Sequence, residues 1–397
     1  MARTARSFSR RVVLRFVFFR LLAPRDTHCH ADFYANAPAD RGTFAFGYGA
    51  HVNPRADANV DYDANPDSHS ANHGDADHHN GDGDTCEIRK KPAVDAPRIE
   101  TLQNALLDAT RALGVTMEYH EARLQAELLL AHALETTRTS VLARLDEMLA
   151  PGVAARYAAN VARRAQYEPL AYILGHQEFY GLDFLVDRRV LIPRHETETL
   201  LLLALERAKH SAPALSVIID VGTGSGVLAL TLAHHLPQAR VVAVDISPDA
   251  LAVARVNANR LNLEPRVEFI ESDLLESRTS RNVPFDLLVA NLPYIPSARF
   301  DQLPREIRAF EPRGALDGGE DGLAIFRRLL AQLELHAARG AVVLLEISEE
   351  QGDVALECVR RTLPHAVATV HCDLEGLGRV VEIQRVSRMD EGRWHTS

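Results

Sequence analysis

Leu102, Leu106, Ala109 and Leu113 recur every three or four residues, the spacing that lines one face of a helix. Leu124, Leu128 and Ala131 repeat it, as do Val141, Leu142 and Leu145. An Ala- and Arg-rich stretch from Val153 to Gln166 predicts one more helix, ending before Pro169. A small helical bundle is expected here. Arg156, Arg163 and Arg164 read as its solvated face, the alternative being a dock for an acidic or RNA-bound partner. From Gln177 to Val190 aromatic or aliphatic residues alternate with polar ones around Gly181, which predicts a short hairpin joining two domains. Beyond it the pattern becomes strand-then-helix. Strands are expected near 216–221, 240–245, 267–271, 286–290 and 341–346, with helical stretches between, and two last strands near 366–371 and 379–385. That alternation predicts an α/β unit with a parallel sheet flanked by helices.

Upstream of Arg98 the periodicity is lost. Between Asp26 and Pro97 the chain is mostly Asp, Asn, His, Gly and Ala with almost no Leu or Ile, so it is expected to be disordered. His69, His73, Asp75, Asp77, His78 and His79 are metal-ligand types, but a solvated linker is the preferred reading and no metal is expected. Before Asp26 there is no acid, while Arg3, Arg6, Arg10, Arg11, Arg15, Arg20 and Arg25 alternate with Phe, Val and Ser. A basic leader without function is preferred to an organellar transit peptide, because no clear small-residue cleavage site follows.

Composition narrows the function classes. The 397 residues suit two or three folded units. With 44 Lys+Arg against 54 Asp+Glu the net charge is -10, which disfavours a broad basic face on duplex DNA. The most apolar N-terminal stretch, Val12 to Ala23, is broken by Arg15 and Arg20, so no membrane span is expected. Four cysteines with no C-x-x-C pair exclude a small disulfide scaffold.

The first strand of the α/β unit runs into Gly222-Thr223-Gly224-Ser225-Gly226 and then an apolar helix. Glycines there allow a sharp turn and close approach of a ligand. The spacing is G-x-G-x-G with no lysine after it, so neither the dinucleotide-phosphate fingerprint nor the P-loop is matched. The second strand ends in Asp245, placed to accept hydrogen bonds from two ribose hydroxyls. The third ends in Glu271-Ser272-Asp273, where Asp273, with Leu274 beside it, faces an adenine amino group. Singly, each acid suits a turn or cap equally well; at consecutive strand ends they point to nucleoside binding. The fourth strand delivers Asn291-Leu292-Pro293-Tyr294 to the same edge. An amide or aromatic amine is a poor nucleophile, and an enzyme that methylates one must aim its NH2 group. The Asn291 side-chain oxygen and the carbonyl of Leu292 would each accept one N–H. Pro293 keeps Leu292 extended, and Tyr294 offers a flat wall to a planar group.

With these residues in view the chain resembles the peptide-chain release factor glutamine N5-methyltransferases, also called HemK or PrmC, from roughly Arg98 to Arg385. The resemblance rests on Glu168-Pro-Leu-Ala-Tyr-Ile-Leu-Gly175 with Glu178-Phe-Tyr-Gly181, on Leu191-Ile-Pro-Arg-His-Glu-Thr-Glu198, on Asp220 to Gly226, on the Asn291 tetrapeptide, and on Phe310 to Gly322. It implies a Rossmann-like class I methyltransferase domain that uses S-adenosylmethionine and also meets it at Asn291. The target implied is the glutamine of the Gly-Gly-Gln tip of a class 1 release factor, which the N-terminal helices help engage. The organisation expected is a basic leader over 1–25, a disordered low-complexity segment over 26–97 and a helical substrate-engaging domain over 98–172. A hairpin linker over 173–195, the methyltransferase domain over 196–388 and a tail over 389–397 complete it. A cytoplasmic monomer is expected, organellar if the leader is a transit peptide.

Glu196, Thr197 and Glu198 match the family segment that meets the pocket, and equally suit a helix start. Glu311, Pro312 and Arg313 match a segment near the active-site mouth, or a pair that only fixes a loop. Leu292 stands where the family usually has proline, which retains the carbonyl and gives up some rigidity. His195 replaces another proline; a base there is not needed, because a methylated amide nitrogen is acidic enough to lose its proton to water. Asn-x-Pro-Tyr is shared with enzymes that methylate adenine N6 or a ribosomal-protein glutamine. The acidic balance argues against the first, and His-Glu-Thr-Glu in place of Ser-Pro-Ile against the second. A nicotinamide oxidoreductase is disfavoured by the glycine spacing, and a non-catalytic cofactor-binding protein has only Leu292 in its favour.

Overall fold

A computed structural model describes residues 100–210, 217–277, 285–336 and 340–385. The leader, the low-complexity segment with its metal-type side chains, and the tail over 389–397 lie outside the described residues.

Five helices come first among the described residues: α1 Leu102–Leu113, α2 Tyr119–Ala133, α3 Arg138–Leu142, α4 Pro151–Ala165 and α5 Leu170–Leu174. The Thr101 hydroxyl accepts the Asn104 N–H at 3.3 Å and caps α1. Leu102, Leu106 and Leu113 pack on Leu129, Leu130, Val141 and Tyr157 in a separate apolar core. Three expectations change. In α2 the buried face carries Ala122, Ala126, Leu129 and Leu130, whereas Leu124 and Leu128 are only half-buried. Neighbouring helices cover α2 on more than one side, so small residues mark its closest contacts. Leu145 lies past the end of α3. Of the basic residues of α4, Arg156 and Arg163 are exposed as expected, whereas Arg164 is 5% exposed and donates to Gln125 Oε1 at 2.5 Å and Glu306 Oε2 at 2.9 Å. Arg163 pairs with Glu168 and Arg156 donates to the Ala133 carbonyl. A buried guanidinium is tolerated only when paired in this way.

Strands β1 His176–Phe179 and β2 Leu182–Leu185 form the expected antiparallel hairpin around Tyr180-Gly181. Phe179 and Phe184 are buried edge to face and join the core under the large sheet. Asn257 clamps the hairpin by accepting the Leu185 N–H at 2.7 Å and donating to the Leu185 carbonyl at 3.0 Å.

The large sheet contains β3 Val217–Val221, β4 Arg240–Asp245, β5 Val267–Glu271, β6 Leu287–Ala290, β7 Val342–Glu346, β8 Ala366–Cys372 and β9 Gly378–Arg385. Its order is β5-β4-β3-β6-β7-β9-β8, parallel from β5 to β7, with β9 antiparallel to both neighbours. The inner strands are apolar on both sides because helices cover both faces. Ile219, Val221, Val242, Val244 and Leu288 face the layer of α9 Ala324–His336 and α10 Gly352–Thr362. Ile218, Val241, Ala243 and Leu287 face α6 Thr197–His210 and α7 Val227–His235, with α8 Pro248–Arg260 beside them. This is a Rossmann-like α/β fold, preceded by helices. No helix among the described residues is long and apolar enough to cross a membrane.

Candidate active site

Parallel strands bring their C-terminal ends to one edge, where Val221, Asp245, Ala290 and Glu346 end β3, β4, β6 and β7. The loop after β3 is folded by its backbone. Gly222, Gly224 and Gly226 have φ of +75°, +56° and +82°, a region that side chains disfavour. The Gly222 and Thr223 N–H groups both donate to the Val244 carbonyl, at 2.8 and 2.9 Å. A Cβ on Gly226 would come within 3.0 Å of Leu230, whereas one on Gly224 would meet nothing within 4 Å. The loop therefore packs against its helix at one end and faces open space in the middle. Thr223 and Ser225 are buried within it.

Asp220, in β3, is 1% exposed and organises this loop. Its Oδ2 accepts the Thr223 hydroxyl at 2.6 Å and the Ala229 N–H at 3.0 Å, capping α7, while Oδ1 has no partner. Burial pushes its carboxyl up to about 7. Asp245 accepts the Gly224 N–H at 2.8 Å through Oδ2 and the Ser247 N–H at 2.9 Å through Oδ1, and burial raises its carboxyl as well. Asp273 follows β5 with one oxygen 2.6 Å from Arg328. Leu274 is buried at φ +54°, a conformation unusual for a branched side chain. An open glycine turn bordered by carboxylates, without a lysine, suits hydroxyls and a cationic sulfonium better than phosphates, so the residues present fit S-adenosylmethionine.

Asn291 leaves β6 half-buried and donates from Nδ2 to the Thr197 hydroxyl at 3.0 Å, which leaves Oδ1 as its remaining polar atom. Leu292 is 7% exposed and packs in the core against the Gly222 turn. The tetrapeptide is clamped by the segment ahead of α9. The Ile295 N–H donates to the Leu316 carbonyl, the Gly318 N–H to the Ile295 carbonyl at 2.8 Å, and Gln351 Nε2 to the Tyr294 carbonyl at 2.9 Å. Tyr294 points its hydroxyl toward Glu346 Oε1, 3.4 Å away. Burial raises the Tyr294 phenol and pushes Glu346 up to about 7.

The segment before α6 is tied to the same wall. Arg194 pairs with Glu311, which also accepts the Ile192 N–H at 3.2 Å. Thr197 is buried against Asn291, Glu196 is exposed, and Glu198 is half-buried beside His195 at 3.5 Å. His195 is 73% exposed. Arg313 pairs with Asp317 rather than Glu311. The structure adds Asp220, Gly322, Glu346 and Gln351 to the site. Glu346 carried the same signal as Asp245, an acid at the end of a parallel strand, and Asp220 stands one residue before the end of β3; Gln351 carried none.

The N-terminal helices match the PrmC N-terminal domain over residues 104–175, and the α/β unit matches a methyltransferase domain over 218–314. A release factor glutamine methyltransferase of Moorella thermoacetica is 47% identical over 261 residues, spanning 66% of this chain and 90% of that protein. One from Koribacter versatilis is 44% identical over 281 residues, 71% of this chain and 97% of its own length. One from Geobacter sulfurreducens is 42% identical over 269 residues, 68% and 92% respectively. On this identity, over nearly the whole length of each relative, the chain belongs to the release factor glutamine methyltransferases.

Proposed function

We propose that this protein transfers a methyl group from S-adenosylmethionine to the side-chain amide nitrogen of the glutamine in the Gly-Gly-Gln motif of a class 1 release factor. The observation that carries this reading is the Asn291 amide, which donates one of its two N–H groups to Thr197 and keeps its oxygen for a substrate. Gly222 to Gly226, Asp245, Asp273 and Leu274 hold the donor at the strand edge. When bound, the donor supplies an electrophilic methyl group on a sulfonium.

Asn291 Oδ1 and the Leu292 carbonyl each accept one N–H of the substrate carboxamide, which aims its nitrogen and meets the positive charge it gains with oriented dipoles. Tyr294 and Pro293 wall the planar group, and Glu196, Thr197 and Glu198 border the pocket. The excess proton of the methylated nitrogen leaves to water without a dedicated base. Residues 98–172 engage the release factor as a helical domain, joined through the linker over 173–195 to a catalytic domain over 196–388. The protein works as a cytoplasmic monomer and makes no direct contact with DNA.

Mass analysis of a release factor incubated with donor and either the wild type or Asn291→Ala tests the reading. Methylation at the Gly-Gly-Gln glutamine by the wild type alone is expected. An unmodified glutamine, while adenine or a ribosomal-protein glutamine is methylated, would reject the substrate.

A further inference from the structure

Near the end of α4, Arg164 directs its three nitrogens to three separate segments. Nε donates to Gln125 Oε1 in α2, Nη1 to the Glu168 carbonyl at 3.2 Å, and Nη2 to Glu306 Oε2 at 2.9 Å. The first two bonds stay within the helical domain, and the third leaves it. Glu306 belongs to a short helix of the α/β unit, Arg305–Phe310. Beside this bond the Arg305 guanidinium lies over the Tyr167 ring, 4.8 Å from its centroid. Tyr167 is held at φ +71°, a conformation that is costly for a bulky side chain and persists only where its surroundings fix it. Arg164, Tyr167, Arg305 and Glu306 line a cleft of about 600 Å³ that also borders the turn between α1 and α2.

The short helix is tied in turn to the catalytic wall. Its last residue, Phe310, packs against Tyr172, Val190 and Ile192, with the Arg188 guanidinium over its ring at 4.7 Å. Glu311 follows and holds the Ile192 N–H and Arg194. The chain then reaches Leu316 and Gly318, which bond Ile295 next to the tetrapeptide. One continuous segment therefore runs from the contact with α4 to the clamp on Asn291–Tyr294.

We propose that Arg164 and Glu306 are positioning residues that set the angle between the helical domain and the catalytic domain, with Arg305 on Tyr167 as a second tie. Domains joined by a linker move against one another unless an interface holds them. Arg164 is 5% exposed, so an arrangement that withdraws Glu306 strips a buried guanidinium of that carboxylate, which is costly. A release factor held by the helices is thereby delivered with its glutamine at a fixed place before Asn291, where a displacement of about 1 Å is enough to slow transfer by about a hundredfold. The ties govern the approach of a protein substrate and leave binding of the donor and of the carboxamide alone. This deepens the proposed function and rests on its reading that the helices engage the release factor.

The test uses the full chain with Glu306→Ala, which removes the acceptor, Glu306→Gln, which keeps an oxygen for Arg164, and Arg305→Ala. Each is assayed on an intact release factor and on a short Gly-Gly-Gln peptide too small to reach the helices. In Glu306→Ala, kcat on the release factor is expected to fall by about tenfold, while KM, donor affinity and turnover of the peptide change less than about twofold. Glu306→Gln should stay within about threefold of wild type on both substrates, and Arg305→Ala should show a smaller loss confined to the release factor. The angle itself is read without donor or substrate. Arg111 in α1 and Arg361 in α10, both exposed, are replaced by a keto-bearing amino acid that carries a spin label and spares the native cysteines, and the distance between the labels is measured by pulsed electron resonance. A narrow distance distribution is expected with Glu306 present and a broad one in Glu306→Ala. Equal losses on the two substrates, full turnover of the release factor in Glu306→Ala, or a distribution that stays narrow there would overturn the proposal. A wild type that leaves the release factor unmethylated would instead sink the proposed function, and the distance distribution would still decide whether the pair fixes the angle.

Discussion

The Gly224 N–H donates to Asp245 Oδ2 at 2.8 Å, so the acid at the end of β4 holds the middle of the glycine turn that follows β3. One side chain thereby shapes the turn and, in the proposed function, accepts the ribose hydroxyls of the donor.

That double duty makes Asp245→Asn informative. The Asp245 oxygens face backbone N–H groups of Gly224 and Ser247, so an amide nitrogen in either place meets another donor. Affinity for S-adenosylmethionine, read by titration calorimetry, should fall on the order of tenfold to a hundredfold. An affinity equal to wild type would remove Asp245 from the donor site.

Gly322 is the tightest point of the clamp on the tetrapeptide. Its φ is +80°, and a Cβ there would lie 2.2 Å from the Tyr294 carbonyl oxygen and 2.6 Å from Gln351 Nε2. Neither neighbour can give way without releasing the hydrogen bond that holds Tyr294. Gly322→Ala should cost more than about 2 kcal/mol in urea unfolding and reduce turnover even where the protein remains folded. Retained stability and full activity would show that the clamp does not position the site.

Asp220 predicts a pH dependence of stability. Burial raises its carboxyl from 3.8 to about 7, so the folded state prefers the neutral acid. Its contribution is fully present below pH 3.8 and is lost as pH rises through about 7. Asp220→Asn imitates the neutral form and can keep the oxygen that serves Thr223 and Ala229. Unfolding free energies at pH 5 and pH 8 should therefore differ less in the variant than in the wild type. Glu346, also pushed up to about 7, still titrates in both proteins, so the slope should shrink without vanishing. An identical slope in the two proteins would refute the assignment.

Much of this was legible along the chain because regular elements announce themselves by period. The repeat of Leu102, Leu106 and Leu113 marks α1, and the apolar strand runs mark β3 to β7 within a residue or so of their observed ends. The turn glycines and Asn291 were readable because backbone conformation and side-chain chemistry restrict those places to few residue types. Where a residue's partner lies far away in sequence, the reading failed. Arg164 looked like a surface charge and is enclosed by Gln125 and by Glu306, 142 positions further along the chain. Leu124 and Leu128 shared a helical stripe with no marker to say that Ala122 and Ala126 faced the closer neighbours.

The sequence by itself determined the strand–helix alternation of a parallel α/β unit, the glycine turn, the acid at the end of β4 and the tetrapeptide at the end of β6, because each depends on local periodicity or on residue types within one turn. Only the tertiary structure decided that Thr197 meets Asn291 across 94 positions, that Tyr294 faces Glu346 and that Gln351 holds the Tyr294 carbonyl. Those pairings come from bringing the ends of separate parallel strands to one edge, and hydrogen bonds across that edge obey distance in space, which no spacing along the chain records.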